Sequence, residues 1–207
     1  MPTPMLTTLL ILANVLGATM ALPQALRLFR TGRCDGVSGG WAGLSLAMNL
    51  WWLSYGLALG LWSLVPVSAI AAALYLVIVV TWIRLRGRAA LREVALGSAV
   101  GSFPVPFLLV GGWSVAGLAI GVGYGVQLAP AVAATFRTHE LRGVAAGTWL
   151  MAWVEAAIWL VYGITLADRA LVIGGASGVA LSAAVLARLA ATGHRPFSVA
   201  RPAWAVG

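Results

Sequence analysis

The chain has 207 residues, of which 61% are hydrophobic and 9% charged, and its net charge of +8 comes from 13 arginines with no lysine. Soluble domains carry about a quarter charged residues, and a soluble fold this apolar could not cover its own surface with polar groups. A bilayer is therefore the expected solvent, a separate soluble domain is excluded, and a basic balance confined to short loops points to lipid headgroups and topology rather than to nucleic acid.

A crossing helix needs about 20 mostly apolar residues. Seven segments qualify, at roughly 5–26, 41–60, 63–83, 94–112, 114–135, 147–166 and 170–190. The first is read as a retained helix, because no small-residue cleavage pattern and soluble domain follow it. Arginines 27, 30 and 33 follow the first segment, four more separate the third from the fourth, and Arg137 and Arg142 follow the fifth. Arg188, Arg195 and Arg201 end the chain. The linkers after the second and fourth segments are uncharged, and the one after the sixth holds only Asp168 and Arg169. Twelve of the 13 arginines thus fall on one side, which is expected to be cytoplasmic. The expected location is the plasma membrane, multi-pass, with the N-terminus outside and the C-terminus inside. Residues 193–207 read as a disordered tail.

A shift of 107 aligns the two halves without a gap. Pro23 meets Pro130, Phe29-Arg30-Thr31 meets Phe136-Arg137-Thr138, and Gly36-Val37 meets Gly143-Val144. Gly40 meets Gly147, Trp52-Leu53 meets Trp159-Leu160, and Tyr55-Gly56 meets Tyr162-Gly163. An Ala/Leu/Gly bias does not explain matched Trp, Tyr, Phe and Pro. The shift crosses four segments, an even number, so both copies face the same way. The expected architecture is an all-α integral membrane protein of seven transmembrane helices: two parallel three-helix repeats, 1–92 and 114–192, joined by a linker helix, 93–113. Parallel repeats related by an axis along the membrane normal are a transporter plan, with the solute site near mid-membrane between them.

Leu22-Pro23-Gln24, Phe29-Arg30-Thr31, Asp35-Gly36-Val37-Ser38 and Trp52-Leu53-Ser54-Tyr55-Gly56 resemble the PQ-loop proteins and, within them, the SWEET and half-size SemiSWEET sugar transporters. Ala129-Pro130 and Trp159-Leu160-Val161-Tyr162-Gly163 repeat the pattern more weakly. The resemblance implies facilitated alternating access, with the first helix of each unit bending at its proline. It implies that Trp52 and Trp159 line the pocket and that Tyr55, Tyr162 and Asp168 lie near an outer gate. Family sugar transporters place an asparagine in the third helix of each unit; the matching positions here are Ile70 and Ser177. Ala131 stands where the second glutamine would be.

The residues themselves carry a parallel reading. Pro23 and Pro130 free the carbonyls of Thr19 and Val126, and in lipid a freed carbonyl needs a partner, which Gln24, Gln127 or cavity water could supply. Their symmetric placement favours hinges over static kinks. Indole faces stack on sugars and planar solutes, which makes Trp52 and Trp159 pocket candidates, with core packing or a lipid-facing role as the plainer alternative. Glu155 is the one acidic residue deep in a predicted helix, where charge costs about 2.5–3.5 kcal/mol, and it shares a face with Trp159. Asn49 and Ser45 share a face with Trp52, and Asn14 lies at depth in the first helix. Each of these, like Ser177, either lines the pocket or bonds a neighbouring helix. Asp35 with an arginine could form an inner gate.

Cys34 stands alone, and His139 and His194 have no cluster around them, so neither a metal site, a cofactor nor an enzyme is expected. The expected partners are a small-molecule solute and the lipid bilayer. A homo-oligomer stays open, since one copy already holds both halves. The leading expectation is a carrier of a small polar solute, a sugar by the resemblance. The alternatives are a proton-coupled carrier of an amino acid or vitamin-like solute using Glu155, and a non-transporting receptor on the same fold. Flux in liposomes separates the carriers. A pH-independent flux, or full activity in Glu155→Gln, removes the proton-coupled alternative.

Overall fold

The computed structural model describes residues 4–31, 38–137 and 146–192, without the side chains of residues 23, 24, 26–31, 131 and 134. The expectations placed on the tail 193–207, on Cys34 and on an inner gate at Asp35 lie outside the described residues. Those residues form helices α1 (Pro4–Thr31), α2 (Gly39–Leu59), α3 (Val65–Arg86), α4 (Arg88–Gly101), α5 (Pro104–Arg137), α6 (Ala146–Leu166) and α7 (Arg169–Ala191), with no strand among them.

The apolar pattern is that of a bundle dissolved in lipid. Leu109 and Val110 are 80% and 89% exposed, and Ile11, Leu57, Leu76, Val122 and Ile164 also face outward. Ser45, Ser68, Gln127, Glu155 and Ser182 are buried. Exposed apolar surface on this scale marks contact with a membrane or a partner. Five stretches are long and apolar enough to cross a membrane: Pro4–Leu22, Val65–Arg86, Arg88–Arg137, Ala146–Leu166 and Arg169–Ala191. α2, which carries Ser45, Asn49 and Ser54, is as long as α6 but is not among them.

The stretch Arg88–Arg137 differs from the sequence expectation. α4 begins at Arg88, not near residue 94, because Gly87 (φ 71°) makes the turn from α3 alone. Only glycine takes that backbone cheaply. Arg88 and Arg92, expected in a loop, are therefore helical. The helix then breaks at Ser102 and Phe103, ahead of Pro104, whose ring disfavours helical backbone at the residue before it. A second break falls at Gly112 (φ 62°, ψ −159°) inside α5. Pro130 does not break α5: helical dihedrals continue through it to Arg137.

α3 packs between α1 and α2, and α7 packs between α5 and α6. α4 lies on α2 and α3. The two groups meet where α1 touches α6 and α2 touches α5. Small residues set these distances, as they do in membrane bundles. A Cβ on Gly97 of α4 would fall 2.6 Å from the carbonyl carbon of Gly40 on α2, and one on Gly163 of α6 would fall 2.7 Å from Leu171 Cβ on α7.

Helix ends are capped from two sources. Asp168 Oδ1 accepts from Leu171 N at 3.0 Å and starts α7. α3 has no cap of its own; Asn14 Oδ1 on α1 accepts from Val67 N at 3.0 Å, and Asn14 Nδ2 donates to Ser63 O at 3.0 Å and to Leu10 O at 2.7 Å.

The α2–α4 contact gives a direct check. Gly97→Ala forces a side chain onto the Gly40 backbone and should cost about 1–3 kcal/mol, read as a lowered melting temperature in detergent. Gly40→Ala, whose Cβ would meet nothing nearer than 3.6 Å, should melt at or above the parent.

Candidate functional site

A cavity opens at the seam between the α1–α3–α2 and α5–α7–α6 groups. Its lining is Asn49, Trp52, Leu64, Val67, Ser68, Tyr124, Glu155, Ala156, Trp159, Leu171, Gly174 and Gly175. The space open to the centres of water molecules is about 80 Å³, room for several waters.

Ten of those twelve residues fall into five pairs 107 apart: Asn49 with Ala156, Trp52 with Trp159, Leu64 with Leu171, Val67 with Gly174, and Ser68 with Gly175. Each indole also makes the same local contact. Trp52 meets Tyr55 edge-on at 6.1 Å, and Trp159 meets Tyr162 edge-on at 6.0 Å. Trp52 reaches across to α7, where the place of a Gly174 Cβ lies 3.1 Å from its Cζ2. A larger residue at 174 would push the ring aside.

The two unpaired lining residues are Tyr124 and Glu155. Glu155 is 7% exposed. Trp159 Nε1 donates to its Oε1 at 3.3 Å. The carboxyl lies where a side chain on Gly17 of α1 would be, so glycine there makes its space. The Tyr124 ring lies against Gly178 on α7, where an added Cβ would fall 2.8 Å from Cε1. Among the described residues, none that lines the cavity is basic, and none form a cluster of His, Cys, Asp and Glu suited to a metal.

Hydrogen bonds between the groups flank the cavity along α2. Toward its C-terminal end, the Tyr55 hydroxyl donates to Asp168 Oδ2 at 2.8 Å, so one carboxylate both starts α7 and ties it to α2. Toward its N-terminal end, Gln127 Nε2 on α5 donates to Ser45 Oγ at 3.0 Å. Ser45 and Tyr55 are ten residues, about 15 Å, apart along the helix. Asn49, between them, lines the cavity and donates from Nδ2 to Ser45 O at 2.8 Å.

The residues expected at a site are thus distributed as follows. Trp52, Trp159, Asn49 and Glu155 line the cavity. Ser45 is fully buried beneath it as the acceptor for Gln127. Asn14 bonds the first turn of α3 and faces a separate outer groove with Ser63 and Ile70. Ser177 packs on Gly125 of α5 and is not part of the lining. Gln127, suggested as a donor to the carbonyl freed by Pro130, bonds Ser45 instead. Tyr55 and Asp168 are bonded; Tyr162 is buried beside Trp159. Pro23 and Gln24 lie in α1, with side chains outside the described residues. Sequence reasoning missed Tyr124, Ser68, Leu64 and Leu171. The 107 shift would have found the last two, since it equates them; Tyr124 stands opposite Gly17 under that shift and has no matched partner.

The fold and cavity define a multi-pass helical membrane protein of the SWEET-like fold. A solved structure of a eukaryotic SWEET transporter superposes with a TM-score of 0.71 at 18% identity, covering 91% of this chain and 99% of that one. At that identity the likeness establishes fold alone. No family model and no curated protein matches the sequence.

The Tyr55–Asp168 contact can be measured. In a double-mutant cycle of Tyr55→Phe and Asp168→Asn, which leaves a capping side chain at 168, unfolding in detergent should show a coupling of about 1 kcal/mol. Strict additivity would show that the bond does not hold the two groups together.

Proposed function

We propose that this chain is a membrane carrier that moves a small polar solute, of the sugar class, by facilitated alternating access. The observation that carries the proposal is the cavity at the seam, with five lining pairs drawn from positions 107 apart. Only a site shared by two equivalent halves takes matched residues from both sides.

The reading counts seven crossings in two parallel repeats, 1–92 and 114–192, with 93–113 as the linker. The 50 residues Arg88–Arg137 would extend about 75 Å as one helix, far beyond a hydrocarbon core of about 30 Å, so the breaks at Ser102–Phe103 and Gly112 divide them into the linker crossing and the next. α2 supplies a further crossing, with Ser45 buried and Asn49 turned to the cavity. α6 begins and ends 107 residues after α2. The contacts obey the same shift: α1 on α3 answers α5 on α7, α2 on α3 answers α6 on α7, and α1 on α6 answers α5 on α2.

In this mechanism Trp52 and Trp159 hold the solute between their faces, with Asn49 and Glu155 as polar contacts. Pro23 and Pro130 are the hinges of α1 and α5. Tyr55–Asp168 shuts the outer end and Gln127–Ser45 the inner end, and each bond breaks when its side opens. The arginine distribution orients the N-terminus outside the cell and the C-terminus in the cytoplasm. The sugar class rests on the motif resemblance and on the fold shared with a SWEET transporter.

Counterflow in proteoliposomes across sugars, amino acids and nucleosides tests the proposal. At least one solute should exchange, and Trp52→Ala or Trp159→Ala should abolish exchange while each variant stays monodisperse in detergent. Full exchange in both variants would overturn the pocket assignment. Binding without flux would make the protein a receptor.

A further inference from the structure

The geometry points to a solute that carries a positive charge: we propose that the seam cavity selects small ammonium-bearing solutes, with Glu155 as their counter-charge and the Trp52, Trp159 and Tyr124 rings as their walls. The inference rests on the cavity being the carrier's solute site, and it puts a cationic solute in place of the neutral sugar that the motif resemblance implies.

Glu155 carries the argument. A carboxylate buried in a membrane bundle is paired, protonated or hydrated. Among the described residues, the side chains round it bring no positive charge. Trp159 bonds it from the same helix, Gly17 meets it from α1, and Tyr124 of α5 lines the same cavity. None of these is a cation, and among the described residues none that lines the cavity is. A single indole N–H at 3.3 Å leaves most of its acceptor capacity unused. The missing partner is a positive charge, and the cavity is the open space beside it.

The walls suit the same ligand. Two indoles and a phenol line one small space, and aromatic faces attract ammonium groups, most strongly when water is excluded. A carboxylate adds what the rings alone lack, a full counter-charge. Asn49 contributes an amide dipole on the opposite side, from α2. The charge is also one-sided: the position equivalent to Glu155 is Met48, which is fully buried. A cation would therefore sit in one orientation, toward α6.

The test measures binding in detergent by tryptophan fluorescence, and flux in liposomes separately, so failure of transport does not obscure selectivity. The probes are choline, ethanolamine, glucose and the neutral isostere of choline with carbon in place of nitrogen. Choline or ethanolamine should bind about tenfold or more tightly than the neutral isostere and glucose. Glu155→Gln should remove that preference, and Glu155→Asp, which keeps the charge, should retain part of it. Both variants are checked for a monodisperse peak; if Glu155→Gln does not fold, competition of choline against the neutral isostere on the parent decides. Equal binding of charged and neutral probes, no binding of either ammonium probe, or a preference that survives in folded Glu155→Gln overturns the proposal. Neutral-solute flux that depends on pH, with no ammonium preference, would assign Glu155 a proton instead.

Discussion

In lipid, a polar group must be covered by protein or by trapped water, and that requirement organises the whole interior. The outer surface is surrendered to Leu, Val and Ile. The polar side chains that remain are drawn to the seam: Ser45, Asn49, Gln127 and Glu155 all lie on helices that meet there or beside it. A cavity at this seam is where water can finish their hydrogen bonds. Packing explains why the seam stays open. Within each group, glycines bring backbones together, as at Gly163 and Gly97, whereas across the seam the large rings of Trp52 and Trp159 keep a space.

The same requirement explains two residues with no direct part in the cavity. A helix start leaves backbone N–H groups without partners, and in a membrane that debt is severe. α7 meets it with Asp168 immediately before its first residue. α3 meets it from a distance, with Asn14 of α1. The first solution leaves Asp168 a second oxygen for Tyr55, so a capping residue also becomes a contact between the groups. The second ties the N-terminal half of α1 to the start of α3.

Much of this was legible in the sequence. Arginine spacing and apolar length gave helix positions close to α1, α2, α3, α6 and α7. The 107-residue shift brought forward Trp52 and Trp159, and the rarity of deep acids brought forward Glu155. What the sequence hid was direction around each helix. On a helix that is apolar nearly all round, periodicity does not say which face is inward. Asn14 and Ser177 were candidates for that reason, and three-dimensional contact was needed to separate them from Asn49. The fourth apolar segment differs from the expected helix at its start, where one positive-φ glycine, Gly87, replaces a loop, and in its middle, where the effect of Pro104 on Phe103 interrupts it.

On the carrier reading, duplication accounts for what the paired positions of the cavity share, and divergence for their unlike polarity. The 107-residue pairs that keep bulk are Trp52 with Trp159 and Leu64 with Leu171. The polar groups all stand opposite something that cannot do their chemistry: Glu155 opposite Met48, Tyr124 opposite Gly17, Gln127 opposite Met20, and Ser45 opposite Ala152. On the carrier reading these two layers have separate work. Alternating access needs inward and outward states of nearly equal free energy, and two halves of matched shape approach that condition without tuning. Recognition needs the reverse, a site with a distinct front and back, so that a solute has one preferred pose. A dimer of identical half-size chains cannot supply that distinction, because any charge placed in one wall appears in the other. Joining the halves in one chain removes the constraint, and a single carboxylate in the cavity is what that freedom permits.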